Sequence, residues 1–170
     1  MSKIEIQTLV AELKKIDDLV IKEPVDLASG EKSDYYIDIK KAYGYPKVLD
    51  LMAELLASFI PNYVSCIASS GYGGIPLASL ISAKTGRNLT LIREAPKNHG
   101  TKVLIDGYTP KSEDVVALVD DVFTTGGSLR KMRQALGEEI NIGGYYVVVK
   151  RGEGKLDRPL HSLITPEDLI

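Results

Sequence analysis

Two carboxylates and a run of hydroxyl and glycine residues follow the most strand-like stretch of the sequence. The apolar run 115–119 leads into Asp120 and Asp121, and the segment from Thr124 to Ser128 then enters a predicted helix. The carboxyl end of a strand is the usual ligand-binding edge of an open α/β sheet. Glycines let the backbone wrap around an anion, and a helix N-terminus offers unpaired N–H groups and a favourable dipole. The segment therefore predicts phosphate binding by the loop and sugar-hydroxyl binding by the carboxylates.

A second segment, residues 93–108, carries cations suited to a more highly charged anion. Arg93, Lys97, His99 and Lys102 place up to four cationic donors on one stretch of chain. A multiply negative leaving group would attract such donors, which would neutralise the charge that develops as its bond breaks. The stretch has no clean period, and a loop of this length in a compact domain is usually functional or mobile. A solvated charged loop is the alternative interpretation, and it is also the interpretation that we give to Lys40 and Lys41.

The elements that must position these segments alternate between helices and strands. Strands that alternate with helices predict an α/β fold with a central parallel sheet flanked by helices. Residues 20–39 alternate loosely around a Ser29-Gly30 turn and predict a hairpin or two short strands. The small residues 69–74 predict a loop before a helix. The remaining predicted helices and strands are helices at 6–16, 46–59, 75–84 and up to Leu136, and strands at 64–68, 89–92, 115–119 and 144–149.

Length and composition limit the classes of protein to which the chain can belong. The 170 residues favour a single domain, and 44% hydrophobic with 26% charged residues is typical of a globular protein. A net charge of −2 gives no general basic field for nucleic acid or an acidic membrane. The single Cys66 excludes an internal disulfide and a multi-cysteine zinc site, and its apolar strand predicts a core residue. No targeting segment or membrane span is expected, and we predict a cytoplasmic protein.

Four segments of the chain resemble a known enzyme family, in the family's own order. Residues 115–128 resemble the phosphoribosyl pyrophosphate (PRPP) loop of the type I phosphoribosyltransferases. Residues 27–38, 70–78 and 92–100 resemble three segments of the orotate phosphoribosyltransferases in particular. The PRPP loop alone would indicate only the superfamily, whereas the four segments together indicate orotate as the substrate.

The resemblance implies a fold, a reaction and an assembly. The fold would be one phosphoribosyltransferase domain over residues 1–170, with a small N-terminal hood at about 1–42 and a core at about 43–152. The reaction would convert orotate and PRPP to orotidine 5′-monophosphate and pyrophosphate, with Mg²⁺, in de novo pyrimidine synthesis. The sugar carbon would pass through an oxocarbenium-like state without a covalent nucleophile. The assembly would be a homodimer in which the loop that begins at Arg93 closes over the active site of the neighbouring subunit.

The resemblance also implies roles for individual residues. The catalytic residues would be Lys97, His99, Asp120 and Asp121, and orotate would contact Thr124 and Arg151, whose guanidinium fork matches a carboxylate. Mg²⁺ would be held mainly by PRPP, bridging pyrophosphate and ribose oxygens. The residues that would bind PRPP are Arg93, Lys97, His99, Asp120, Asp121, Val122, Phe123, Thr124, Thr125, Gly126, Gly127 and Ser128.

Three positions depart from the family's usual pattern and keep alternative functions open. Many family members have Lys where this chain has Ala28, Gly73 and Glu94. The departures are compatible with weaker PRPP binding, with the use of other donors, or with a paralogue of altered activity. One rival function is phosphoribosyl transfer to another base, such as a purine. A second is a PRPP-binding regulator without catalysis, against which the acidic isoelectric point of about 5.7 counts.

Overall fold

The computed structural model describes residues 3–23, 25–26, 32–95 and 104–170. The helices are α1 (Lys3–Leu13), α2 (Pro46–Phe59), α3 (Gly71–Thr85), α4 (Gly127–Leu136) and α5 (Pro166–Leu169), with a 3₁₀ helix at Ile39–Gly44. The strands are β1 (Val20–Ile21), β2 (Val25–Asp26), β3 (Lys32–Ser33), β4 (Tyr36–Ile37), β5 (Cys66–Ser70), β6 (Asn88–Ile92), β7 (Ile105–Gly107), β8 (Val115–Phe123), β9 (Asn141–Lys150) and β10 (Leu160–Ile164). Within these residues, no helix is both long and apolar enough to cross a bilayer.

A six-stranded sheet in the order β10-β9-β8-β5-β6-β7 forms the centre of the described structure. The pairs from β10 through β6 are parallel, which confirms the predicted fold class. Strand β7 was not predicted, and it pairs with β6 in the antiparallel direction. A parallel pair needs a long crossover, usually a helix. No helix separates β6 from β7 among the described residues, and an antiparallel edge strand results.

The core lies on both faces of β8, the strand that leads into the predicted PRPP loop. Ala117 and Val119 pack into the cluster that α1, α2 and α3 cover, whereas Val116 and Leu118 pack into the cluster that α4 covers. Successive side chains of a strand point to opposite faces, so a strand buried on both sides is apolar throughout. All four side chains have zero exposure. The end of β8 is therefore a rigid platform for Asp120 and the residues that follow it.

Helix α3 begins at Gly71 rather than near Ile75, so the predicted small-residue loop is wrong in part. The glycines at 71, 73 and 74 form the first turn of the helix. A Cβ at Gly74 would stand 2.6 Å from the carbonyl oxygen of Val119, so this turn packs closely on β8. Low helix propensity predicted a loop here, but tertiary packing against the strand overrides propensity.

The N-terminal part of the chain forms two small antiparallel pairs, β1 with β4 and β2 with β3. This agrees with the expectation of short strands between residues 20 and 39. The 3₁₀ helix at Ile39–Gly44 follows directly and buries Ile39 and Ala42. The division into a hood and a core stays a prediction.

Candidate active site

The carboxyl edge of the sheet opens into a cleft of about 740 Å³. Ser70 at the end of β5 and Arg93 and Glu94 after β6 line one side of it. The loop between β8 and α4 and the first turn of α4 line the other side, through Thr124, Thr125, Gly127 and Ser128. The fold thus brings the predicted PRPP loop and the start of the predicted catalytic loop to one cavity.

Asp120 is a buried carboxyl group held by two hydrogen bonds. Its Oδ2 accepts a bond of 2.5 Å from the hydroxyl of Ser128, and its Oδ1 accepts one of 2.9 Å from the N–H of Asp121. Only 7% of the residue is exposed. Burial, and then the negative charge of Asp121, raise the pKa of Asp120 well above its usual range. The first carboxyl of the pair therefore resists ionisation next to the second.

Asp121 is held from two sides. Its Oδ1 accepts a hydrogen bond of 2.8 Å from the N–H of Val122, and its Oδ2 lies 3.5 Å from the ammonium of Lys40. Burial acts to lower the pKa of Lys40, but the nearby negative charges, that of Asp121 foremost, outweigh it and raise that pKa. Lys40 is exposed, with 43% of its side chain accessible, as expected for a solvated face, but its ammonium also reaches the acidic pair, which the sequence did not predict.

The loop between β8 and α4 has the backbone shape that an anion site needs. Gly126 precedes the helix with φ of +79°, a conformation that favours glycine. A Cβ at this position would also stand 2.8 Å from the ring of Phe123. The guanidinium of Arg130 donates a hydrogen bond of 2.7 Å to the carbonyl of Thr125, which fixes the loop against the helix. The first N–H groups of α4 lack partners within the helix, as in any helix, and are available to a phosphate.

The two predicted orotate residues lie close along the backbone of neighbouring strands. The N–H of Arg151 donates to the carbonyl of Phe123 at 2.8 Å, and a Cβ at Gly152 would stand 2.6 Å from the carbonyl oxygen of Thr124. The guanidinium of Arg151 donates to the carbonyl of Tyr35 at 2.7 Å and lies 4.7 Å from the centre of the Tyr35 ring. Sequence reasoning missed Tyr35 as a partner, although it lies within the segment 27–38 that resembles the family.

The opposite side of the cleft is less basic than the family pattern predicts. Arg93 pairs with Asp106 of β7 at 2.5 Å. A Cβ at Gly71 would stand 2.7 Å from Oε1 of Glu94, so the Glu94 carboxylate lies against the first residue of α3. Lys97 and His99, predicted as catalytic, and Ala28 lie outside the described residues.

The described residues offer neither a nucleophilic thiol nor a protein-held metal site. Cys66 is buried, and burial raises the pKa of its thiol to about 11, which confirms the prediction of a core residue. Among the residues that the structure describes, no three His, Cys, Asp or Glu side chains form a group suited to a metal ion. The groups that the described part of the site does offer, the acidic pair and the loop 124–128, suit hydroxyl binding and anion binding.

Curated relatives share most of their length with the chain. It is 40% identical over 157 residues to an orotate phosphoribosyltransferase from Methanothermobacter thermautotrophicus, covering 90% of this chain and 84% of the relative. It is 42% identical over 129 residues to the orotate phosphoribosyltransferase of Methanocaldococcus jannaschii, covering 75% and 73% respectively. No family model matches the chain.

A solved orotate phosphoribosyltransferase structure also resembles this chain over most of its length. Orotate phosphoribosyltransferase from Aeropyrum pernix superimposes with a TM-score of 0.81 and 29% identity, over 95% of each chain. An adenine phosphoribosyltransferase from Leishmania tarentolae also superimposes, with a TM-score of 0.65, 17% identity and coverage of 96% and 89%, a likeness that shows the fold alone. The fold is therefore also found in an adenine phosphoribosyltransferase, whereas both sequence relatives are orotate phosphoribosyltransferases. The predicted fold, enzyme class and reaction are confirmed, and the chain belongs to the orotate phosphoribosyltransferase family of type I phosphoribosyltransferases.

Proposed function

We propose that the cleft at the carboxyl edge of the sheet is where this chain transfers phosphoribosyl from PRPP to orotate. The products are orotidine 5′-monophosphate and pyrophosphate, in pyrimidine nucleotide synthesis. One observation carries the assignment of the site: Asp120, Asp121 and the loop 124–128 follow one another at the carboxyl end of β8, and Arg151 follows the neighbouring strand β9. The loop lines the cleft, whereas Asp120, Asp121 and Arg151 lie beside it and are not among its lining residues.

The sugar phosphate of PRPP binds at the end of β8. The 5′-phosphate accepts hydrogen bonds from the N–H groups at the start of α4, where the helix dipole also favours a negative charge. Asp120 and Asp121 accept hydrogen bonds from the ribose hydroxyls. The support for this division is that Gly126 gives the loop its anion-binding shape, while both carboxylates are fixed by hydrogen bonds of their own.

The bond from the sugar carbon to pyrophosphate breaks as a ring nitrogen of orotate bonds to that carbon. Pyrophosphate leaves with the electron pair, the carbon passes through an oxocarbenium-like state, and the proton displaced from the orotate nitrogen passes to pyrophosphate or to solvent. Fixed carboxylates on the ribose hydroxyls hold the sugar in place, and positioning of this kind lowers the entropic part of the barrier. No residue serves as a covalent nucleophile, and the buried Cys66 is consistent with that.

Orotate binds between Arg151 and Thr124. The planar guanidinium pairs with the orotate carboxylate in a forked geometry, which Lys would not reproduce. The fixed position of the Arg151 side chain on Tyr35 supports this role, because an oriented fork loses less entropy on binding. Thr124, whose carbonyl lies beside Gly152, supplies the second contact to the base.

Arg93, Lys97 and His99 meet the pyrophosphate, and Mg²⁺ enters as part of the PRPP substrate. Arg93 lines the cleft, which supports its part in this set. The chemistry of the substrate supports a magnesium ion carried by its oxygens, because Mg²⁺ prefers oxygen ligands and usually binds through substrate phosphates. PRPP binding without catalysis is the second candidate function, and Glu94 favours it because a carboxylate at this end of the cleft opposes pyrophosphate.

The experiment for the reaction is a base panel with PRPP and Mg²⁺. We expect loss of orotate absorbance and no comparable turnover of adenine, guanine, hypoxanthine or uracil. Faster turnover of a purine would reassign the base. A lack of turnover with every base, together with measurable PRPP affinity, would support the regulator instead.

We further propose a cytoplasmic homodimer in which Lys97 and His99 of one subunit complete the site of the other. A closed two-fold dimer is the commonest soluble oligomer, and the single buried cysteine suits a reducing compartment. A Lys97→Ala chain and an Asp121→Asn chain, each inactive alone, should regain activity on mixing. Half of the dimers would be mixed, with one intact site each, so about a quarter of wild-type activity should return. No recovery, despite subunit exchange shown by mass spectrometry, would contradict the shared site.

A further inference from the structure

Lys40 and Lys41 are adjacent in the 3₁₀ helix, but their side chains reach different partners. The ammonium of Lys40 lies 3.5 Å from Oδ2 of Asp121 and 3.6 Å from Oδ1 of Asp38. The ammonium of Lys41 lies 3.7 Å from Oδ2 of Asp18, a side chain that is 80% exposed. A 3₁₀ helix turns by about 120° per residue, so consecutive side chains point in different directions. The two lysine side chains are similarly exposed, 43% for Lys40 and 36% for Lys41, and they differ in that Lys40 reaches the acidic pair whereas Lys41 reaches an exposed carboxylate.

The same 3₁₀ helix contacts the turn of α3 that faces Asp121. The hydroxyl of Tyr43 donates a hydrogen bond to the carbonyl of Gly73. A Cβ at Gly73 would stand 2.5 Å from Oδ1 of Asp121, so a side chain at this position would displace the carboxylate from its present place. Gly73 leaves the Asp121 carboxylate its space, and Lys40 approaches that carboxylate from the 3₁₀ helix.

The charges around Asp121 explain why a cation matters here. Asp120 lies next to it in sequence, and two adjacent carboxyls disfavour each other's ionisation. The titratable groups around Asp121 are Asp120 beside it on β8 and four groups from the elements packed against this strand: Tyr36, Asp38, Lys40 and Tyr43. Burial, followed by the charges of Asp121 and Asp120, raises the pKa of Tyr43, so its phenol stays neutral. Lys40 is thus the positive member of a set whose other members are acidic or neutral.

We propose that Lys40 is a positioning residue for phosphoribosyl transfer, which holds the Asp121 carboxylate oriented for the ribose hydroxyls. This rests on the proposed function, in which Asp121 binds ribose. Because Lys40 acts on Asp121 through its positive charge, activity should fall when the charge is removed, even if the length of the side chain is kept. It also supplies a cation beside Gly73, where many family members carry their own Lys.

Three variants separate a positioning role from a merely structural one. Lys40→Met removes the charge and keeps the length, Lys40→Arg keeps the charge, and Lys41→Met is the matched control from the same helix. We expect Lys40→Met to lower kcat/KM for PRPP about tenfold near neutral pH and to move the acidic limb of its pH profile up by about one unit. Lys40→Arg should remain within about threefold of wild type. Lys41→Met should match wild type, because the partner of Lys41 is the exposed Asp18 and not the acidic pair.

A second measurement needs no turnover. The affinity for PRPP with Mg²⁺ is measured by calorimetry in wild type, Lys40→Met, Lys40→Arg and Lys41→Met. We expect Lys40→Met to bind PRPP about tenfold more weakly and the other two variants to stay close to wild type. If this pattern occurs in a protein that turns over no orotate, Lys40 positions Asp121 and the proposed function fails. If orotate is turned over but neither the PRPP affinity nor the pH profile changes in Lys40→Met, the proposed function stands and the role of Lys40 is overturned. Lys40→Gln replaces Lys40→Met if circular dichroism shows that the latter is unfolded.

Discussion

The N-terminal ends of α3 and α4 both begin at a glycine in the left-handed region, at the first residue of α3 and at the residue before α4, but they face different side chains. Each has a glycine in the left-handed region, Gly71 with φ of +68° and Gly126 with φ of +79°. At α4 the neighbouring residues that line the cleft include Thr124, Thr125 and Ser128, which carry hydroxyl groups and no negative charge. The N-terminus of α4 can therefore accept a phosphate. At α3 the Glu94 carboxylate lies against Gly71. One end of the cleft therefore provides an anion site from its own backbone, while the other end holds a protein carboxylate close to the corresponding position.

In the proposed function, the two ends contribute differently to the affinity for PRPP. The proposed sugar-phosphate end is fixed by β8, by Gly126 and by hydrogen bonds within the loop, so it would need little rearrangement to bind. The proposed pyrophosphate end contains Glu94 and would depend on cations carried by the segment that begins at Arg93.

The largest effect is expected at the sugar-phosphate end. Asp120→Asn combined with Asp121→Asn removes the charged contacts to the ribose hydroxyls, and kcat should fall by about 100-fold or more, the cost of losing preorganised charge in a site. Initial rates of orotate loss at saturating substrate measure kcat, and circular dichroism shows whether the variant is folded. Asp50→Asn, at an exposed ion pair with Lys84 on α3, is the matched control and should leave kcat unchanged. Unchanged kinetics in the double variant would defeat the assignment of the acidic pair.

A smaller effect is expected at the pyrophosphate end. Glu94→Lys replaces an opposing charge by a favourable one, so PRPP should bind about tenfold more tightly at low salt, and the gain should shrink as ionic strength rises. Calorimetric titration with PRPP at two salt concentrations measures this. Glu54→Lys, an exposed position on α2, makes the same change of charge away from the cleft and should leave the affinity unaltered. An affinity for Glu94→Lys that is unchanged or weaker would show that Glu94 does not oppose pyrophosphate.

The smallest effect concerns stability. Burial and the charge of Asp121 raise the pKa of Asp120 in the folded state above the ordinary value of 3.8. In the window between these two pKa values the folded state binds more protons than the unfolded one, so stability falls as pH rises through it. Asp120→Asn has no carboxyl group to ionise, so it does not lose this stability. Its free energy of unfolding at pH 8 should exceed that of wild type by about 1 kcal/mol, the equivalent of about one pKa unit. The difference should vanish near pH 3, where the carboxyl is protonated in both states.

Urea unfolding at the two pH values measures this difference. Asp157→Asn is the control of opposite sign, because the hydrogen bond from Tyr145 lowers the pKa of Asp157 and its stabilisation is lost as pH falls. A loss of stability in Asp120→Asn at pH 8 would mean that the surroundings of Asp120 do not disfavour its ionised form.

The acidic pair and its loop could be predicted from sequence because everything that defines them is local. An apolar run, two carboxylates, two threonines and two glycines stand in order along one strand and one turn. Burial of β8 on both faces then follows from the apolar run itself. Arg151 required the family resemblance, because an arginine after a strand has no local mark of function.

The parts that sequence reasoning missed depend on contacts between distant segments. Lys40 and Lys41 look equivalent in sequence, and only the 3₁₀ turn and its packing direct one of them to Asp121. Helix α3 begins at Gly71 because its first turn is held against β8, which no local propensity reveals. The antiparallel edge strand β7 is three residues long and polar in part, too short for a periodic signal.

The most direct test of the central claim measures PRPP binding and orotate turnover on one sample of the wild-type chain. With Mg²⁺ and PRPP at saturation, we expect orotate to disappear and pyrophosphate to appear in equal amounts, and Asp121→Asn should lower both rates sharply. PRPP bound by the wild-type chain without orotate loss or pyrophosphate release would contradict the account, because the cleft would then bind PRPP without catalysis.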